Sequence, residues 1–215
     1  YKYYSAASYC FGANVEFNYL SLLQSNLTKE EAIEKVGKLR LEIRDFDKTI
    51  ENEEIKTITD LESYMVVKER LMEANDFLDL VAESAANNNT NLHNLAYAVE
   101  RIKSASSLSQ FLENTGKEFN FNGNVIKNAC MTKLSEGEER LQYVQLYFPQ
   151  NLENTKKELG YAYRDLKDMN YELCLFKASK AKADVDAILS VFGVRTDDIG
   201  NILNQKLGVV ERNLV

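Results

Sequence analysis

LGYAYRDLKDMNYELCLFKASKAKADVDAILSVF, residues 159–192, reads as two helices packed back to back. The first is expected from Leu152 to about Lys167 and the second from Asn170 to Phe192, where Gly193 stops it. Thr196-Asp-Asp then opens a last helix to about Arg212, with acidic side chains at the positive end of its dipole.

The rest of the chain has the same helical texture. Its 215 residues include one proline, nine glycines and no tryptophan. A sandwich or barrel of this length needs many more turn formers, so so few breakers point to long helices. Hydrophobic residues make up 45% and charged residues 27%, enough to build a core and keep it in water. The net charge of −7 is spread over interleaved acids and bases. With no basic stripe, nucleic acid and anionic membrane are not expected partners. No apolar run approaches the roughly 18 residues of a membrane span.

Working back from the quoted stretch, residues 2–24 are predicted helical. Tyr3, Ala6, Ala7, Cys10, Ala13, Phe17 and Leu20 recur at steps of three and four and define the expected inner face. Thr28-Lys-Glu-Glu31 spells a capping box for a helix to about Glu53. Val36, Leu39, Ile43, Phe46 and Ile50 form its heptad seam. Thr59-Asp-Leu-Glu62 spells a second box. The helix it opens carries Tyr64, Val67, Leu71, Ala74, Leu78 and Val81 inward and ends near Ala86, before an Asn-rich turn. Together these two helices, over 28–86, are expected to make a long antiparallel hairpin. A further helix runs from about Asn91 to Glu113, with Leu92, Leu95, Val99, Ile102 and Ala105 inward and Gly116 as its left-handed stop. Another runs from about Asn124 to Phe148, with Gly137 as a soft point and Pro149 as its end. The fold class is therefore all-α, with seven to eight helices in a single domain over 1–215.

Leu159-Gly160-x-x-Tyr163 resembles the first helix of a tetratricopeptide repeat, and Asn170-Tyr171-Glu172-x-Cys174-Leu175 with Ala178 and Ala181 resembles the second. The loop between the halves is about two residues longer than in that repeat, and its closing proline is absent. Tyr4-x-x-Ala7-x-Tyr9 echoes Tyr171-x-x-Cys174-x-Phe176, so residues 1–24 look like the second helix of a similar pair. The chain opens in helix-like sequence without an initiator Met, and is expected to be a piece of a larger polypeptide. KYYSAASYCFGANVEF near the start, with LGYAYRDLKDMNYELCLFKASKAKADVDAILSVFGV further on, resembles the helical region after the protease domain of archaeal Lon-like proteases. That resemblance covers most of the chain. It implies a parent with a serine nucleophile and a lysine base, on the outer side of a membrane. It assigns no catalytic residue to this chain.

The residues themselves supply no catalytic set. His93 is the only histidine. Di-iron bundles and HExxH zincins both need two, and the helical HEPN nucleases need an arginine shortly before the histidine, which residues 87–92 lack. His93 reads as a polar residue in a helix's first turn. The acidic run Asp45, Asp47, Glu51, Glu53 and Glu54 lacks the EF-hand spacing and reads as a solvated helix end. Ser104, Ser106, Ser107 and Ser109 beside Lys103 read as a polar helix face rather than a Ser/Lys dyad. Cys10, Cys130 and Cys174 read as small buried hydrophobes, with one disulfide plus a free thiol open as the alternative. Asn26-Leu27-Thr28 and Asn88-Asn89-Thr90 fit the glycosylation acceptor pattern. No catalytic, cofactor or metal residue is expected. The aromatics at the start exceed what one helix face needs, and Tyr1, Tyr3, Tyr4, Tyr9 and Phe11 form a candidate interaction surface. They are either core covered by a neighbouring region or a peptide-binding patch. The expected partner is a protein or peptide, including the protease domain of the same polypeptide. The expected role is a non-catalytic interaction or substrate-handling domain of such a protease. The alternative is an independent adaptor.

Overall fold

A computed structural model describes residues 2–87, 90–112, 116–119, 121–147, 152–191, 198, 200–201, 203–205 and 207–208, without the side chains of 2–5 and 191. Among these residues the protein is all-α. Its helices are α1 (Lys2–Gln24), α2 (Lys29–Glu51), α3 (Ile58–Ala86), α4 (Leu92–Ser109), α5 (Gly123–Gln145), α6 (Glu153–Lys167) and α7 (Tyr171–Val191). Those described beyond residue 198 are helical from 200 onward, inside the last predicted helix. The chain divides into two compact units, 1–121 and 122–215, where the sequence alone suggests one domain.

In the first unit α3 packs along α4 and α2, and α1 packs along α4. The α2–α3 hairpin forms with its predicted seams. Val36, Ile43 and Ile50 are buried on α2, and Val67, Leu71, Ala74, Leu78 and Val81 on α3. Thr28 caps α2 as its sequence spells, accepting from the Glu31 amide at 3.2 Å while Glu31 accepts from the Thr28 amide at 2.8 Å. This bond from the Thr28 backbone holds the Glu31 carboxyl below its usual pKa.

The second box is not Thr59–Glu62. Thr57 caps α3, and Asp60 accepts from the Thr57 amide at 2.8 Å and the Lys56 amide at 3.1 Å. The reason is tertiary. An antiparallel bridge joins Thr57 to Glu118, and the Phe119 amide donates to the Lys56 carbonyl at 2.8 Å. That fixes the extended backbone a cap requires two residues earlier than expected. Gly116 serves the same junction: a Cβ there would meet Thr57 Cγ2 at 3.3 Å. It is not the stop of α4, which already ends at Ser109.

α1 also departs from expectation. Val15 and Leu22 are buried, Phe11, Asn18 and Tyr19 are half-buried, and Ala6, Ala7, Cys10, Ala13, Phe17 and Leu20 face outward. α1 is apolar on both sides, so three–four spacing fits either face. Its register is set by α4: the Phe11 ring meets Tyr97 edge-on at 5.5 Å, and the Asn18 carboxamide donates to the buried Glu100 carboxylate. Cys10 is consequently exposed rather than buried.

In the second unit α7 packs against both α5 and α6. Cys130, Leu134, Leu159, Ala162, Cys174, Ala178, Ala181 and Val185 share one core. The cysteine alternative is realised: Cys130 and Cys174 form a disulfide between α5 and α7, with Cα atoms 5.7 Å apart. Gly137 is a close-packing position rather than a soft point, since a Cβ there would meet Leu159 Cδ2 at 3.2 Å. α5 ends at Gln145; Pro149 lies outside the described residues.

α6 closes in a left-handed residue, Met169, at φ 65°. The Asn170 amide donates to the Asp165 carbonyl at 2.9 Å and the Met169 amide to the Leu166 carbonyl at 3.4 Å. This is the paired C-terminal closure usually built on glycine.

Candidate functional site

The predicted surface separates into three parts. Tyr1 and the side chains of Tyr3 and Tyr4 lie outside the described residues. Tyr9 projects into solvent at 81% exposure. Phe11 points inward, where the Arg101 guanidinium lies 4.6 Å from its ring centre. Arg101 also bonds Glu73 at 2.8 Å and the Tyr97 hydroxyl at 2.5 Å, and Tyr97 stacks on Phe77 at 4.2 Å. Burial, then the nearby Glu73 carboxylate, pushes the Tyr97 hydroxyl above its usual pKa. Arg101 thus joins α1, α3 and α4 through one planar cation that stacks and bonds at once.

What Tyr9 does share is the outer face of α1. Phe17 is 71% exposed and Leu20 52% exposed, Cys10 and Ala13 are exposed between them and Tyr9, and Ala6 and Ala7 are exposed before Tyr9. From Tyr3 to Val15 this helix carries no charge. Soluble proteins rarely leave so continuous an apolar strip open without a partner for it. The aromatic count drew attention to α1, but the surface on offer is the strip first assigned to the core.

The second unit carries a different feature. Glu138, Leu141, Leu159, Gly160 and Tyr163 line a mainly apolar cleft of about 300 Å³ between α5 and α6. A Cβ on Gly160 would meet nothing within 4 Å, so the glycine leaves the cleft open. Burial and a hydrogen bond to Glu138 push the Tyr163 hydroxyl up to about 12. In the same unit, Lys177 and Asp165 form a buried ion pair at 2.9 Å.

The other polar candidates are engaged structurally. His93 sits in the first turn of α4, its Nε2 3.2 Å from Glu16 and its ring against Tyr19. Asp47 and Glu51 both hold Lys68, at 2.6 and 3.0 Å, and these bonds raise the Lys68 pKa although burial opposes them. Lys103 donates to Glu100 at 2.7 Å, and Ser107 and Ser109 donate to carbonyls of their own helix. Among the described residues no group of three or more His, Cys, Asp or Glu side chains is placed to hold a metal ion. No described helix is long and apolar enough to cross a membrane.

Comparison with known proteins finds no matching family model, no matching curated protein and no matching solved structure.

Proposed function

We propose that this chain is a non-catalytic helical module that binds a protein or peptide through the outer face of α1. The observation that supports this is the open strip of Tyr9, Phe17 and Leu20 with the small residues between them. Burying such a face against a partner is favourable, at about 25 cal/mol per Å² of apolar surface removed from water. Following its resemblance alone, the module is an accessory of a Lon-like Ser/Lys protease and handles substrate for the protease domain of the same polypeptide.

The test uses Tyr9→Glu and Phe17→Glu in the parent polypeptide. Both side chains are exposed, so the fold is expected to stand. Turnover of an unstructured protein should fall at least tenfold, with turnover of a short peptide unchanged. Equal turnover by variant and parent overturns the role of this face. Turnover of an unstructured protein by the purified chain alone overturns the non-catalytic reading.

A second reading, an independent adaptor that binds a peptide, is favoured by the cleft of the second unit. Gly160→Leu would fill that cleft and improve helix propensity. Loss of peptide binding in this variant, with Tyr9→Glu silent, selects the adaptor.

A further inference from the structure

We infer that Asn26 is a site of N-linked glycosylation, taking an oligosaccharide from a lipid-phosphate carrier on the outer side of a membrane. Asn26-Leu27-Thr28 fits the acceptor pattern with no proline inside it. The pattern is common by chance, so its place in the fold decides its worth. Asn26 is exposed in the turn between α1 and α2, at φ 45°.

The disulfide supplies an independent observation. Cys130 and Cys174 are paired and fully buried, and structural pairs of this kind persist where the surroundings are oxidising. Those surroundings lie across the membrane from the cytosol, on the side where N-linked glycans are attached.

The charge map points the same way. Residues 17–28 and 84–99 contain no Asp, Glu, Lys or Arg, although 27% of the chain is charged. The two segments meet: Tyr19, Leu23, Ser84, Thr90 and His93 line one cavity of about 280 Å³. The Asn91 amide donates to Ser84 Oγ at 3.1 Å. The second acceptor pattern, Asn88-Asn89-Thr90, falls in this charge-poor region; Asn88 and Asn89 themselves lie outside the described residues. A surface that lacks charge but carries sugar stays solvated.

In the transfer, Asn26 Nδ2 attacks C1 of the first sugar. The C1–N bond forms as the C1–O bond to the carrier phosphate breaks. The lipid phosphate leaves with the electron pair, and the amide nitrogen gives up one proton. Thr28 Oγ1 bonds Glu31 in the capping box, so the transfer precedes closure of the first turn of α2.

The experiment is peptide mapping by mass spectrometry of the polypeptide purified from the cells that naturally make it. The peptide containing Asn26 should carry a series of sugar masses. These should vanish in Asn26→Gly, which suits the positive φ, and persist in Thr28→Ser, which keeps both acceptor and cap. Recovery of that peptide wholly unmodified overturns the inference, and so does sugar found at Asn88 alone.

Discussion

The two units stabilise similar helices by different means. The first, four helices and a connector, relies on long apolar seams and also buries the Asp60 and Glu100 carboxylates, which accept hydrogen bonds from Thr57 and Asn18. Among its described residues the second has three long helices, α5, α6 and α7, whose core carries a disulfide and a buried ion pair. Small helical sets bury a lower fraction of their surface, so covalent and ionic ties matter more to them. The contrast predicts that the units fail separately and for different reasons.

The largest effect should come from Cys130→Ala with Cys174→Ala. The bridge spans a sequence separation of 44 residues. Its loss should cost the second unit about 4 kcal/mol by loop-closure entropy, with the first unit unmoved. Denaturation followed by probes in each unit checks this; a shift of equal size in both would merge them into one cooperative body. Next, Asp165→Ala should destabilise the second unit by about 3 kcal/mol, because it removes the buried carboxylate that Lys177 bonds at 2.9 Å. Asp165→Leu with Lys177→Met should recover most of that loss. A double variant as unstable as the single one would show that the pair contributes more than charge balance.

In the first unit Thr57→Ala should cost about 1 kcal/mol, removing the cap of α3. The Glu118 bridge should weaken with it, visible as faster amide exchange at Phe119. In the second unit Met169→Gly should stabilise by about 0.5–1 kcal/mol, since Met169 is exposed at φ 65° and glycine adopts that conformation freely. The smallest effect is a titration. Tyr163, pushed up to about 12, should be among the last tyrosines to ionise, and Tyr163→Phe should remove that late step from the absorbance curve. The sign is that of a raised pKa: the contribution of Tyr163 is complete below the ordinary tyrosine value near 10 and is lost as pH rises toward 12.

Much of the fold was legible in the sequence because its signals are local. The seams of α2 and α3 alternate cleanly with charge, and Thr28 with Glu31 caps within one turn. The misses share one cause: a partner distant in sequence decides. α1 has two apolar faces, and residues of α4, Tyr97 and Glu100 among them, select between them. Thr57 becomes a cap because Glu118 pins it, and aspartate at the third position is a weaker signature than glutamate. Gly137 looked like a weak point until Leu159 filled the space above it. Of the candidate surface, Tyr9 faces solvent while Phe11 is drawn inward by Arg101.

The Arg101 junction has a kinetic consequence. α1 lies at the edge of its unit and is joined along α4 by Phe11, Val15, Asn18, Tyr19 and Leu22. It can therefore detach while the α2–α3–α4 seam stays closed. Native-state exchange should find its amides opening at a lower free energy than those around Leu71 and Leu78. Whatever covers the outer face of α1 would then also slow that opening, so protection of this one helix would report occupancy directly.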